Sequence, residues 1–462
     1  MLVDAQLVPE DLRSRLDAFW PLSARKVEDL FRAWDPGAGA PVFTVEGRYT
    51  SRGWTEWTQG FQFGWAILQY DATGDERFLE LGRRGTVEHM ANHVSHVGVH
   101  DHGFNNVSTY GNLRRLMLEG RMPDDPWQLA FYELALKASG AVQAARWRTT
   151  HDGGGYIYSF NGPQSLFSDT IRSVRVLSLA HMLGQHLMGE NDEAISLLGR
   201  GIEHARATAR WNVFYGEGRD IYDVWGRVAH ESVFNVNDGR FRTSSTQQGY
   251  APWTTWTRGL AWVMAGYAEQ LEFLDVVDDH ELDRFGGRDE ITTMMLRAAS
   301  AACDFYLANS PTDGIPYWDT GAPGLAHLGD HLGRPADPFN PHEPVDSSAA
   351  AIGAQGLIRL GRWLTGRGDP RGGRYTTAGL GIVGRLLEAP YLAIDPAHQG
   401  LLLPGVYHRP RGWDHAPAPD GVPRGEAVMW GDYHLVEVAL IAQRMLDVAP
   451  VHTFFGPVGG PR

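Results

Sequence analysis

Apolar residues recur along this chain at the three-and-four spacing of helices, with little strict alternation. The spacing predicts an amphipathic helix over 8–35, stopped by Asp35-Pro36-Gly37, then a polar turn. A second helix opens with the tryptophans of 54–57 and closes at Ala72-Thr73-Gly74-Asp75. Further helices are predicted over 76–95, 107–118, 124–148, 167–187 and 191–209. Another starts at Thr254, Thr255 or Thr257 and carries Leu260, Val263, Met264 and Tyr267; the last four lie near 288–308, 346–364, 374–388 and 427–447. Only 211–250 breaks the rule: short alternating patches (Ile221, Tyr222, Val224; Val233, Phe234, Val236) flank Asn-Asp-Gly and predict a small β-hairpin insertion.

About a dozen helices joined by alternately short and long loops, without βαβ alternation or a low-complexity linker, predict an all-α fold. Small-residue runs such as Ala349–Ala354 suit an inner ring of helices covered on two faces. Aromatic and small residues crowd several helix starts: Gly60-Phe61, Arg258-Gly259, Trp430-Gly431. A toroid of paired helices, one end lined by aromatic loops, accounts for both, as a single domain over 1–462.

Composition narrows the partners. Hydrophobic residues make up 43% and charged residues 21%, ordinary for a soluble globular protein. The net charge of −14 argues against wrapping nucleic acid. No apolar run spans a bilayer, and the start Met-Leu-Val-Asp-Ala-Gln-Leu lacks the regions of a signal peptide. The lone Cys303 suits a reducing compartment, so a cytoplasmic location is expected.

Candidate chemistry concentrates in Gln247–Tyr267, where two amides, Trp253, Trp256, Trp262 and Arg258 surround one helix mouth. Flat apolar faces beside planar hydrogen-bonding groups fit a sugar ring, and Arg258 could fork onto a carboxylate. The plainer alternative is a buried Trp-rich helix whose arginine pairs with an aspartate. Two carboxylates stand out elsewhere: Asp101, between His100 and His102, and Asp169, at a helix start. In a shared cavity one could stay ionised while the other holds a proton; alternatively, Asp169 simply caps its helix. His93, His96, His100 and His102 read better as a hydrogen-bonded loop than as a metal cluster, and no nucleotide or zinc-protease motif occurs.

Eight motifs follow in order: Trp57-Thr58-Gln59-Gly60-Phe61, His100-Asp101-His102-Gly103-Phe104, Ser168-Asp169-Thr170-Ile171, Gln248-Gly249-Tyr250, Trp256-Thr257-Arg258-Gly259-Leu260-Ala261-Trp262, Asp313-Gly314-Ile315-Pro316-Tyr317-Trp318-Asp319, Asp346-Ser347-Ser348-Ala349-Ala350-Ala351-Ile352 and Trp430-Gly431-Asp432-Tyr433. Together, over about 54–447, they resemble the unsaturated glucuronyl hydrolases of glycoside hydrolase family 88, of which this chain looks like a divergent member. The resemblance implies an (α/α)6 barrel and hydration of the 4,5 double bond of a terminal unsaturated uronic acid on lyase-derived oligosaccharides, releasing the next sugar. It implies Asp169 as proton donor and water activator, Asp101 as its supporting carboxylate and His230 as a contact to substrate or water. Substrate binding falls to Trp57, Gln247, Gln248, Arg258 and Trp262. No metal or organic cofactor is implied; the partner is a small oligosaccharide with a uronic acid end, met by a monomer or homodimer.

Three positions depart from the family pattern. Gln247 stands where a histidine is common, Phe63-Gly64 replaces Pro-Gly, and Arg172 follows Asp169 at i+3. Arg172 would lower the pKa of Asp169, face a substrate carboxylate or sulfate, or pair with another helix. A uronate lyase or ordinary glucuronidase on the same barrel, and a non-catalytic sugar-binding barrel, are the competing readings.

Overall fold

The computed structural model describes residues 1–450 and 452–456. Twelve long helices dominate the described residues. The first six are α1 (Arg13–Ala33), α2 (Gln59–Thr73), α3 (Glu76–His89), α4 (His102–Asn106, the π turn Val107–Gly111 and Asn112–Leu118), α5 (Pro126–Ala145) and α6 (Thr170–Ser173 with Arg175–Met182). The second six are α7 (Leu197–Trp211), α8 (Thr257–Leu274), α9 (Arg288–Asn309), α10 (Ser347–Thr365), α11 (Arg371–Leu386) and α12 (Met429–Leu446).

Burial alternates along this series. All 18 residues of α8 are buried, whereas 14-residue α3 buries only Phe78, Leu79, Gly82, Gly85 and Thr86. Even-numbered helices form an inner ring, each packed against the next, and α12 closes it on α2. Odd-numbered helices lie outside and show the amphipathic stripe expected of helices covered on one face. The predicted (α/α)6 barrel is therefore the observed fold, with a main hydrophobic cluster drawing residues from Leu12 to Phe455. No helix among the described residues is long and apolar enough to cross a membrane.

Local differences from the sequence reading have local causes. The predicted polar turn after α1 contains a hairpin, Pro41–Val45 with Arg48–Ser51, turned by Glu46 (φ 50°) and Gly47 (φ 71°). That pair of positive φ values is the two-residue turn matching strand twist. The insertion near 211–250 forms strands Glu231–Phe234 and Phe241–Ser245, joined by Ser165–Phe167 as a third strand. The apolar patch at 221–224 belongs to no strand, and Ile221 is 90% exposed on a loop. The helix expected over 167–187 starts only at Thr170 and stops at Met182, because its flanks pair as strands.

Candidate active site

One close approach sets the site. A Cβ on Gly103 of α4 would lie 1.9 Å from the Ser173 carbonyl oxygen of α6, so only glycine permits this helix contact. The Gly103 N–H donates to Ser173 Oγ (3.1 Å), and that hydroxyl donates to the His100 carbonyl. Asp101 lies two residues before Gly103 and Asp169 four before Ser173, so the contact brings both carboxylates to the same end of the ring. Neither side chain caps its helix, which removes the capping alternative for Asp169. Asp101 is 9% and Asp169 7% exposed. His100 stands between them, with Nε2 3.4 Å from Asp169 Oδ1 and 3.8 Å from Asp101 Oδ1.

These groups titrate as a unit. Burial pushes the Asp101 carboxyl up; His100 pulls back, but the Asp169 charge adds to the rise. Burial would also raise Asp169, yet His100, then His230 and Arg258, outweigh it and hold this carboxyl below its ordinary value. Burial lowers the His100 imidazole, but the two carboxylates more than reverse that. Of the two carboxyls, Asp101 is therefore the more readily protonated and Asp169 the more readily ionised, with the raised His100 imidazole between them. Asp169 Oδ1 is buried without a hydrogen-bond partner among the described residues.

The carboxylates lie in a cavity of about 410 Å³ that also receives Trp57, Gln247, Gln248, Arg258 and Trp262. Trp57 lies flat on Trp430, with ring centroids 4.9 Å apart and planes 28° from parallel. Arg258 is sandwiched between Trp256 (4.6 Å) and Trp430 (4.9 Å). Its guanidinium donates to Asp346 (3.1 Å), to the Val406 and Tyr407 carbonyls and to Gln248 Oε1 (2.8 Å). Arg258 thus fixes the Gln248 amide, whose NH2 remains available to a ligand. Gln247 donates instead to Glu231 (3.1 Å), a carboxylate that takes over the side chain standing where the family has a histidine.

His230 is buried against Phe167 (4.4 Å) and Trp256 (4.6 Å) and does not itself line the cavity. Its Nδ1 accepts backbone N–H groups from Gln247 (3.0 Å) and Gln248 (3.3 Å). Burial lowers its pKa to about 4, so near neutrality the hydrogen resides on Nε2, which has no protein partner among the described residues.

Arg172 is the correction. It never reaches the cavity: fully buried, its Nε lies 3.2 Å from Glu269 Oε2 and its Nη2 3.0 Å from Glu437 Oε2, while Nη1 meets His434. Two carboxylates from α8 and α12 hold it within the inner ring, outside the cavity lining. Of the four histidines expected to be hydrogen-bonded, His93 meets Gln59 and Asn105 and His102 meets Ser139 and the His96 carbonyl, whereas His96 Nδ1 and both His100 ring nitrogens have no hydrogen-bond partner among the described residues.

Sequence reasoning missed several lining residues: Glu56, Phe160, Tyr407, His408, Arg411 and Trp413. It also read His100 only as part of a loop. Adjacency was the available signal, since Glu56 precedes Trp57 and His100 precedes Asp101. Burial, with Asp101 adding to it, raises the Glu56 carboxyl to about 7 against the Trp57 N–H that donates to it and Arg52.

Paired carboxylates in an aromatic pocket at one end of an (α/α)6 barrel bring acid–base groups and flat apolar faces into one cavity. No protein-family model matches the chain. The chain is 25% identical over 399 residues to the unsaturated glucuronyl hydrolase of Bacillus sp. (strain GL1), covering 84% of this chain and 87% of that protein. The solved structure of unsaturated glucuronyl hydrolase from Bacillus sp. GL1 superposes with a TM-score of 0.68 at 22% identity, over 93% of this chain and 97% of the other. An unsaturated glucuronyl hydrolase specific for heparin gives 0.71 at 19% identity, over 94% and 98%. The resemblance carried by the eight motifs is borne out along nearly the whole chain.

Proposed function

We propose that the protein is an unsaturated uronyl hydrolase, a glycoside hydrolase that hydrates the 4,5 double bond of a terminal unsaturated uronic acid and releases the next sugar. The observation that carries this reading is the Asp169 carboxylate, whose Oδ1 has no hydrogen-bond partner among the described residues, held beside Asp101 and His100 in an aromatic cavity. The substrate is a short oligosaccharide with an unsaturated uronic acid end, met in the cytoplasm by a monomer or homodimer.

In the free site the raised Asp101 carboxyl and His100 imidazole hold protons more readily than Asp169. A uronate entering the cavity adds a further negative charge, raising the proton affinity of both carboxylates, and Asp169 takes up a proton from the neighbouring Asp101 or His100 or from water. Asp169 then delivers a proton to C4, and the double-bond electrons form the C4–H bond, leaving an oxocarbenium centre at C5. The Asp169 carboxylate, with Asp101 beside it, stabilises that cation. Water adds at C5 and returns its proton to Asp169. The resulting hemiketal opens to a ketone, C1 becomes a hemiacetal, and its collapse expels the next sugar as an alcohol. The Gln248 NH2 is the neutral donor in the cavity suited to the uronate, and His230, behind the lining, positions Gln247 and Gln248 through their backbone N–H groups.

A lyase needs a base for the C5 proton, and His230 is a poor one because its Nδ1 already accepts two N–H groups. The test is ultraviolet absorbance of the conjugated double bond with lyase-derived unsaturated disaccharides. Absorbance falls with the wild type and not with Asp169→Asn; rising absorbance on a saturated uronide would mean elimination and overturn the assignment.

A further inference from the structure

An outer helix of the ring buries one stripe and turns a polar or charged face to solvent. Helix α3 obeys, exposing Glu76, Arg77, Glu80, Arg84 and Glu88. Helix α5 does not. Over 20 residues it carries just two charged side chains, Glu133 and Lys137, and it exposes Trp127, Ala130, Phe131 and Leu134. Trp127 is 87% exposed, Leu134 64% and Phe131 43%. The four fall at i, i+3, i+4 and i+7, so they form one continuous apolar stripe on the helix surface. Elements packed against α5 add to it: Leu118 closes α4 and Met188 lies on the strand His186–Met188, both more than half exposed. A contiguous apolar patch of this kind marks an interaction surface.

Charges frame the stripe at both ends. Asp124, three residues before Trp127, is exposed, and Lys137, three residues after Leu134, is half-buried. Neither has an ion-pair partner among the described residues, whereas Glu133 is held by Arg114 (3.0 Å). The stripe is therefore symmetric in its chemistry about the midpoint between Ala130 and Phe131. A second α5 laid antiparallel across a two-fold axis at that midpoint brings Trp127 opposite Leu134, Ala130 opposite Phe131 and Asp124 opposite Lys137. Every contact is then made twice. A parallel arrangement would set Asp124 against Asp124 and Lys137 against Lys137, so the charges select the antiparallel one.

We propose that the α5 stripe is the interface of a homodimer, in which two copies of this chain pack antiparallel through Trp127, Phe131 and Leu134 and exchange reciprocal Asp124–Lys137 ion pairs. The occupant is a second copy because one face carries both the unpaired acid and the unpaired base, at equal distances from its centre. Desolvation of Trp127 and its neighbours supplies most of the affinity, and the charges at the rim fix the register. The residues that line the cavity include none from α5, so each copy keeps its own site open. The inference holds whatever reaction the cavity performs.

Sedimentation equilibrium of the full chain tests this. The wild type sediments at twice the mass of one chain, and the variant carrying Trp127→Glu and Leu134→Glu at the mass of one, with its circular dichroism spectrum intact. Lys137→Asp sets a carboxylate against the partner's Asp124 and raises the dimer dissociation constant about tenfold, as does Asp124→Lys; the combined swap returns it to within about threefold of the wild type. A wild type of single-chain mass at about 100 μM, where even a weak specific dimer assembles, overturns the proposal. A dimer that persists unchanged in the Trp127→Glu and Leu134→Glu variant belongs to another face and overturns it equally. A combined swap no tighter than either single variant overturns the antiparallel pairing on which the proposal rests.

Discussion

Two buried charge clusters sit one helical turn apart on α6 and behave in opposite ways. Around Arg172 all three guanidinium nitrogens have partners, and Arg175 and Arg359 share Glu269 with it. Around Asp169 two carboxylates face one histidine, whose two ring nitrogens make no hydrogen bond among the described residues. The first cluster is compensated internally and ties α6, α8, α10 and α12 together. The second is left short of partners and lines the cavity. A buried charge is thus a structural tie when the fold completes its shell and a functional group when it does not.

The comparison breaks most sharply at Asp169. Asp169→Asn removes the proposed proton donor and is expected to lower kcat by about 10²–10⁴-fold in the ultraviolet assay, with the melting temperature unchanged or raised. Arg172→Met should do the reverse. It leaves Glu269 and Glu437 short of a cation, so urea unfolding should report a loss of about 3–5 kcal/mol. An activity loss there without a stability loss would contradict the tie.

Glu56 sharpens the comparison through pH. Its folded pKa of about 7 lies above the ordinary value of 4.5, so the folded protein holds its proton more tightly than the unfolded chain. The resulting stability is fully present below about 4.5 and lost as pH rises through about 7. Melting temperatures of the wild type and Glu56→Gln across this window should therefore diverge in the variant's favour as pH rises. KM for the anionic substrate should rise above about pH 7 in the wild type and stay flatter in the variant. The smallest effect is expected at Gln247, whose side chain is tied to Glu231: Gln247→His should change kcat/KM by less than about tenfold, or about 1.4 kcal/mol.

How much of this was legible in the sequence depended on distance along the chain. Helical spacing and small-residue runs identified the paired-helix ring, because periodicity and helix–helix contact are local properties. Asp101, Asp169, Gln248, Arg258 and Trp262 were readable because each sits in a short motif at a helix mouth. Arg172 was not, since its partners Glu269 and Glu437 lie 97 and 265 residues away and only the closed ring brings them together. The role of His100 was hidden for a related reason: its position between two carboxylates depends on the Gly103–Ser173 approach. The missed hairpin at 41–51 turns on a Glu-Gly pair, a weaker turn signal than Asn-Gly or Asp-Gly.

The stacked indoles of Trp57 and Trp430 have an optical consequence. At 4.9 Å and 28° their strong far-ultraviolet transitions are close enough to couple, so a paired circular dichroism signal is expected that isolated tryptophans lack. Trp57 lines the cavity while Trp430 anchors α12, so a ligand that tilts Trp57 changes the coupling without touching its partner. The protein therefore carries its own label-free reporter of occupancy, one that needs no turnover and can follow binding to Asp169→Asn.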